Sequence, residues 1–136
     1  MIYHIVKEKD YRSRNDGKQY LPWNFDENGF VHCALETSVL PVANDYYANV
    51  EEKLLLLRIE PLMLKSQTKY EPALPEKGMS TLHVNSSPVF PHVYGPIDNS
   101  AVNGIGMLVK GSTRYVWPKE FIPITEYFND SYEITA

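Results

Sequence analysis

The sequence predicts an α+β domain. Two observations carry that expectation. Short β-branched and aromatic runs outnumber helical patterns, and strands and helices do not alternate along the whole chain. The order reads strand, helix, strand, helix, then mostly strands, which favours segregated α+β packing over a doubly wound parallel sheet. At 136 residues the chain is read as a single domain, 1–136, long enough to bury one sizeable core.

The elements follow in order. Residues 2–6 (Ile2, Tyr3, His4, Ile5, Val6) are β-branched and aromatic and form a first strand. Residues 7–15 are charged and form a short helix with Gly17 as its stop. Residues 20–29, with Pro22, Trp23 and Asn28-Gly29, read as a loop with an aromatic anchor. Residues 30–33 are a second short strand. The strongest helix spans about 39–49: Val39, Val42, Ala43, Tyr46 and Tyr47 make one apolar face, Thr37 or Ser38 is the expected cap, and Pro41 falls in the first turn. Residues 53–59 form a strand whose unbroken Leu54-Leu55-Leu56-Leu57 run implies cover on both faces, ended by Pro61. Residues 68–71 are read as a short strand before Pro72, and 73–88, rich in Pro, Gly and Ser, as a loop. Residues 101–110 are a strand with Ile105, Met107 and Val109 on one face. Residues 115–121 are a strand or a turn around Pro118, and the tail 124–136 is expected either to pack or to fray.

Composition narrows the function classes. The formal net charge is -4, which argues against a bulk electrostatic grip on nucleic acid. The one cysteine, Cys33, excludes an internal disulfide and a thiolate zinc cluster, and suits a reducing compartment. The start of the chain lacks a signal-peptide pattern, and the longest aliphatic run is far too short for a membrane span, so a cytoplasmic protein without membrane contact is expected.

Few motifs carry chemistry. Gly104-Ile105-Gly106 is not a dinucleotide fingerprint, because Val109 stands where a third glycine belongs; strand glycines against a close neighbour are expected. Cys33 follows His32, and adjacent strand residues face opposite ways, so a His32 facing a ligand leaves Cys33 in the core. The four histidines are His4, His32, His83 and His92. His4 and His32 sit on short strands, and His92 lies in Pro91-His92-Val93-Tyr94-Gly95-Pro96, where alternation puts His92 and Tyr94 on one face. Histidine both donates and accepts hydrogen bonds near neutral pH, and tyrosine offers a ring and a hydroxyl. Glu71, between Tyr70 and Pro72, is the carboxylate set apart from the charged helices.

Ile2-Tyr3-His4-Ile5, Tyr20-Leu21-Pro22, Gly29-Phe30-Val31-His32-Cys33, the 55–61 strand and Phe90-Pro91-His92-Val93-Tyr94-Gly95-Pro96-Ile97 resemble, in order, the domain of unknown function 952 family. The resemblance covers about residues 1–108 and leaves about 109–136 as an extra strand and tail. It implies a fold similar to the ADP-ribosyltransferase superfamily: a split β-sandwich of short strands with flanking helices. It further implies an NAD- or ADP-ribose-like nucleotide as ligand. By that analogy His4 contacts a ribose, Tyr94 or Trp23 stacks on nicotinamide, and Glu71 faces the positive charge that develops as nicotinamide leaves. His32 and His92 complete the ligand-binding set. Ala34 and Ser38 depart from the family pattern, and 73–87 is longer than usual.

Four readings stand at this point. They are an enzyme of ADP-ribose chemistry, a non-catalytic module for a nucleotide or other ligand, a metal site made of His4, His32 and His92, and a protein-interaction domain. The metal reading is the weaker one, because no pair has the helical i, i+4 spacing of a preformed site.

Overall fold

The structure, a computed structural model, describes residues 1–72 and 89–129. Its first half runs β1 (Ile2–Lys7), α1 (Glu8–Ser13), β2 (Gln19–Tyr20), α2 (Phe25–Asn28), β3 (Val31–His32), α3 (Glu36–Tyr46) and β4 (Leu54–Ile59). The second half runs β5 (Thr68–Pro72), β6 (Val89–Val93), β7 (Ile97–Asp98), β8 (Val102–Lys110), β9 (Tyr115–Val116) and α4 (Ile124–Tyr127). This is a mixed α+β arrangement, mostly strands with few helices. The loop reading for 73–88 and the end of the tail fall outside the described residues.

The strands form antiparallel sheets. One has four strands in the order β1-β4-β8-β9, one has three in the order β3-β6-β5, and β2 pairs with β7. None closes into a barrel among the described residues. No helix there is long and apolar enough to cross a membrane.

The leucine run explains the layering. On β4, Leu55 and Leu57 enter one core with Ile2, Val6 and Ile105, while Leu54 and Leu56 enter a second with Tyr3, Ile5, Val39, Ala43 and Leu108. The first core joins the four-stranded sheet to Val31, Cys33 and Val93 of the three-stranded one. The second packs the opposite face against α3. A strand covered on both sides has no polar face to alternate with, which is why the pattern is continuous.

Several local expectations need correction. Helix α3 starts at Glu36, three residues before the expected start, and ends at Tyr46. Thr37 and Ser38 lie inside it; the cap position is Leu35, which has no capping side chain. Tertiary pairing sets this start: Tyr3 and Ala34 exchange backbone hydrogen bonds of 2.9 and 2.7 Å just ahead of the helix, and Leu35 packs against the first core. Pro41 consequently sits past the first turn, where its missing N–H removes a helix bond. In 20–29, the aromatic that anchors the loop is Phe25, packed on the first core, whereas Trp23 is 65% exposed. That loop also contains α2, which closes on Gly29 in the left-handed region at φ 79°.

The strand glycines behave as expected. A Cβ on Gly104 would meet Arg58 and Phe121 at 3.0 Å, and one on Gly106 would meet Pro118 at 2.7 Å. Residues 118–121 lie across β8 at that point, joined to it by the Ile105–Ile122 bridge.

Candidate functional site

The three-stranded sheet gathers most of the chemistry-bearing residues. Its register sets His32 opposite His92 and His92 opposite Lys69, a row across β3, β6 and β5. Cross-strand partners share a face, and alternation adds Phe30, Phe90 and Glu71 to it, with Tyr94 following just beyond β6. Val31, Cys33 and Val93 take the other face and enter the core. Burial pushes the Cys33 thiol far up, so it carries no thiolate at neutral pH.

Glu71 is the hub. One carboxylate oxygen, Oε1, accepts from Nδ1 of His92 at 2.9 Å and from the Tyr94 hydroxyl at 2.5 Å. Donation by Tyr94, and next by His92, holds the Glu71 carboxyl below its ordinary range. The same bond to Glu71 raises the Tyr94 phenol, because ionising it would set two anions together. Glu71 is therefore ionised near neutral pH and Tyr94 protonated. The side chain of Glu71 is 36% exposed and Tyr94 is 37% exposed, so the hub reaches solvent at one edge.

Aromatic rings fix the rest. Phe30 stacks on His92 with centroids 3.9 Å apart and planes 21° apart. It also lies 4.7 Å from the His32 ring and 5.4 Å from Tyr94. The His32 and His92 rings meet edge-on at 5.8 Å. The ammonium of Lys69 sits 4.9 Å above the Tyr94 ring. Behind Tyr94 the chain turns where Ser66 fills the space a Gly95 side chain would need, and the Ser66 hydroxyl donates to the Pro96 carbonyl at 2.9 Å.

His4 belongs to a different layer. It is buried; its Nδ1–H donates to the His32 backbone carbonyl at 2.6 Å and its Nε2 accepts from the Tyr20 hydroxyl at 3.3 Å. These two bonds use both ring nitrogens of a neutral imidazole. Burial lowers its pKa to about 4. Of the residues singled out in the sequence, His32, His92, Tyr94 and Glu71 are brought together, His4 supports them from beneath through the His32 carbonyl, and Trp23 stands apart. Phe30, Lys69 and Tyr20 escaped the sequence reading. Phe30 was reachable by alternation from His32, and Lys69 by alternation from Glu71; Tyr20 stood in a family-like motif, but nothing there tied it to His4. Among the described residues no three His, Cys, Asp or Glu side chains are gathered so as to hold a metal ion.

The chain matches the family model described as protein of unknown function (DUF952) over residues 5–105. The chain belongs to the DUF952 family. Two crystal structures share the fold: protein CC0527 from Caulobacter crescentus and a double methionine variant of it, both with a TM-score of 0.64. They are 20% and 19% identical to this DUF952 chain, and the match covers 84% of it and 90% of theirs. No curated protein matches it.

Proposed function

We propose that this DUF952 protein binds a nucleotide-like ligand, of the NAD or ADP-ribose class, on the histidine–aromatic face of its three-stranded sheet. The observation that carries the reading is the Glu71 carboxylate, held ionised by His92 and Tyr94 at a solvent-reached edge. Such a carboxylate accepts hydrogen bonds from the vicinal hydroxyls of a ribose and stabilises positive charge at a ribose carbon. The partly exposed Tyr94 ring supplies a stacking surface beside it. His4, with both nitrogens used inside the protein, acts as a support for His32 in this reading and not as the ribose contact. The two main sheets sharing a core are read as the split β-sandwich of ADP-ribosyltransferase-like proteins, and the buried lone thiol fits a cytoplasmic setting.

Binding without turnover is the second reading. It is favoured by the fact that Oε1 of Glu71 is already shared by two protein donors, which stabilises the carboxylate's charge before any substrate arrives. Calorimetric titration with NAD and with ADP-ribose tests the proposal, alongside an assay for nicotinamide release. Saturable heat that weakens in Glu71→Gln supports it. Nicotinamide release selects the enzyme reading, and its absence the binding one. No heat from either ligand at millimolar concentration removes both.

A further inference from the structure

A second cluster lies at the end of the four-stranded sheet, on the face that α3 covers further along. Tyr3 pairs with Arg58 and Arg58 with Gly104, a row across β1, β4 and β8. The guanidinium of half-buried Arg58 lies against Gly104, whose missing side chain makes the room: a Cβ there would stand 3.0 Å from a terminal nitrogen of Arg58. The Phe121 ring covers it at 4.3 Å, and Nε donates to Oδ1 of Asn103 at 2.8 Å. Floor, roof and one edge of the plane are thus fixed. Trp117 meets Tyr3 edge-on at 5.4 Å and lies 6.0 Å from Phe121, so the surroundings are largely aromatic.

Among the described residues no Asp or Glu lies within ion-pair distance of Arg58. Glu36, which shares this corner, takes the Tyr3 hydroxyl at 3.3 Å instead. A guanidinium is a planar fork of donors matched to paired oxygens, and it gains strength where aromatic neighbours exclude water. An arginine serving only to pin Phe121 has no need of a hydrogen-bond partner that fixes its plane.

We propose that Arg58, held by Gly104, Asn103 and Phe121, is a receptor for one oxyanion group, a carboxylate or a phosphate, of a small ligand. The site lies on the other side of the four-stranded sheet from the core that joins it to the histidine face, and it stands or falls independently of the nucleotide reading.

The test is a titration of the full chain with inorganic phosphate and, separately, with acetate, at ionic strength held constant with chloride. Nitrogen–proton spectra are read at the Arg58 Nε–H and the Trp117 indole N–H. Saturable shifts at both reporters are expected, and the anion that saturates names the group. Arg58→Lys keeps the charge and loses the fork, and is expected to weaken binding by about tenfold or more. Asn103→Ala frees the plane and is expected to weaken it several-fold. Should Arg58→Lys lose the native near-ultraviolet circular dichroism, Asn103→Ala carries the comparison. Linear shifts no larger than chloride produces, or saturation unchanged in the folded variants, overturn the proposal.

Discussion

His4 is neutral in the fold and more basic outside it, and that difference makes stability depend on pH. Its ordinary value is 6.5 and burial brings it to about 4. Between these values the unfolded chain binds a proton that the folded chain refuses, so stability falls as pH drops through that window and is unaffected by this group above it. The penalty when fully developed is worth about 3 kcal/mol. Urea denaturation of the wild type and of His4→Gln, at about pH 7 and about pH 4.5, checks this: the wild type should lose more stability on acidification than the variant. Equal losses would show that His4 is not held neutral. Glu71 acts in the same direction, over a lower pH range. Its carboxyl is held low by Tyr94 and His92, so its favourable bonds are present above the ordinary carboxylate range and are lost as pH falls through its lowered value. At high pH the same contact restrains Tyr94. In Glu71→Gln the Tyr94 phenol should therefore ionise at lower pH than in the wild type, read by the tyrosinate absorbance band against a Tyr94→Phe blank. An unchanged titration would mean that the Glu71–Tyr94 bond does not persist in solution.

Elements here are set as much by what crosses them as by their own residues. β8 accepts the 118–121 segment across its two glycines, so Gly106→Ala must push a Cβ into Pro118 and the Glu120 carbonyl. Overpacking of this kind costs about 1–3 kcal/mol; the shift in urea midpoint measures it, and a variant as stable as the wild type would mean the crossing segment is loose. The same dependence explains what the sequence could convey. The β4 leucines announce their two-sided burial because every position meets the same apolar surroundings. The sharing of a face by His92 and Tyr94 is likewise local, since it needs only alternation along one extended stretch. The start of α3 was not legible, because a backbone pairing between Ala34 and Tyr3, 31 residues apart in number, overrides the local capping preference for Thr37 or Ser38. The joining of Glu71 to His92 was not legible either: it depends on the register of β5 against β6, and no local pattern encodes which residues come opposite. Trp23 is the reverse case, an aromatic residue whose type suggests an anchor or a stacking ring while the turn around α2 points Phe25 inward in its place.

At the scale of the whole molecule, the segment beyond the family match is part of the core. The match ends at residue 105, yet Tyr115, Ile122 and Tyr127 beyond it are buried, the first in the helix-side core and the others in the core between the sheets. Burying each such side chain contributes about 1.5–3 kcal/mol against a total stability of about 5–15 kcal/mol. A chain ending at Lys110 is accordingly expected to lose cooperative unfolding, seen as a shallow, featureless urea curve; a sharp transition at the wild-type midpoint would contradict this. The tie is specific at its far end. The Tyr127 hydroxyl donates to Glu8 at 2.7 Å and Arg12 of α1 lies 4.4 Å from the Tyr127 ring centroid, joining residues 119 positions apart. On the ribosome this means that α1 emerges early and waits. The leucine-rich strand of β4 follows it into the open; the helix-side core waits for Tyr115, and the core between the sheets cannot close until residue 127 has left the exit tunnel. The nascent chain carries its stickiest segment uncovered while its last core residues are still being made, a vulnerability of folding topology that the finished molecule conceals.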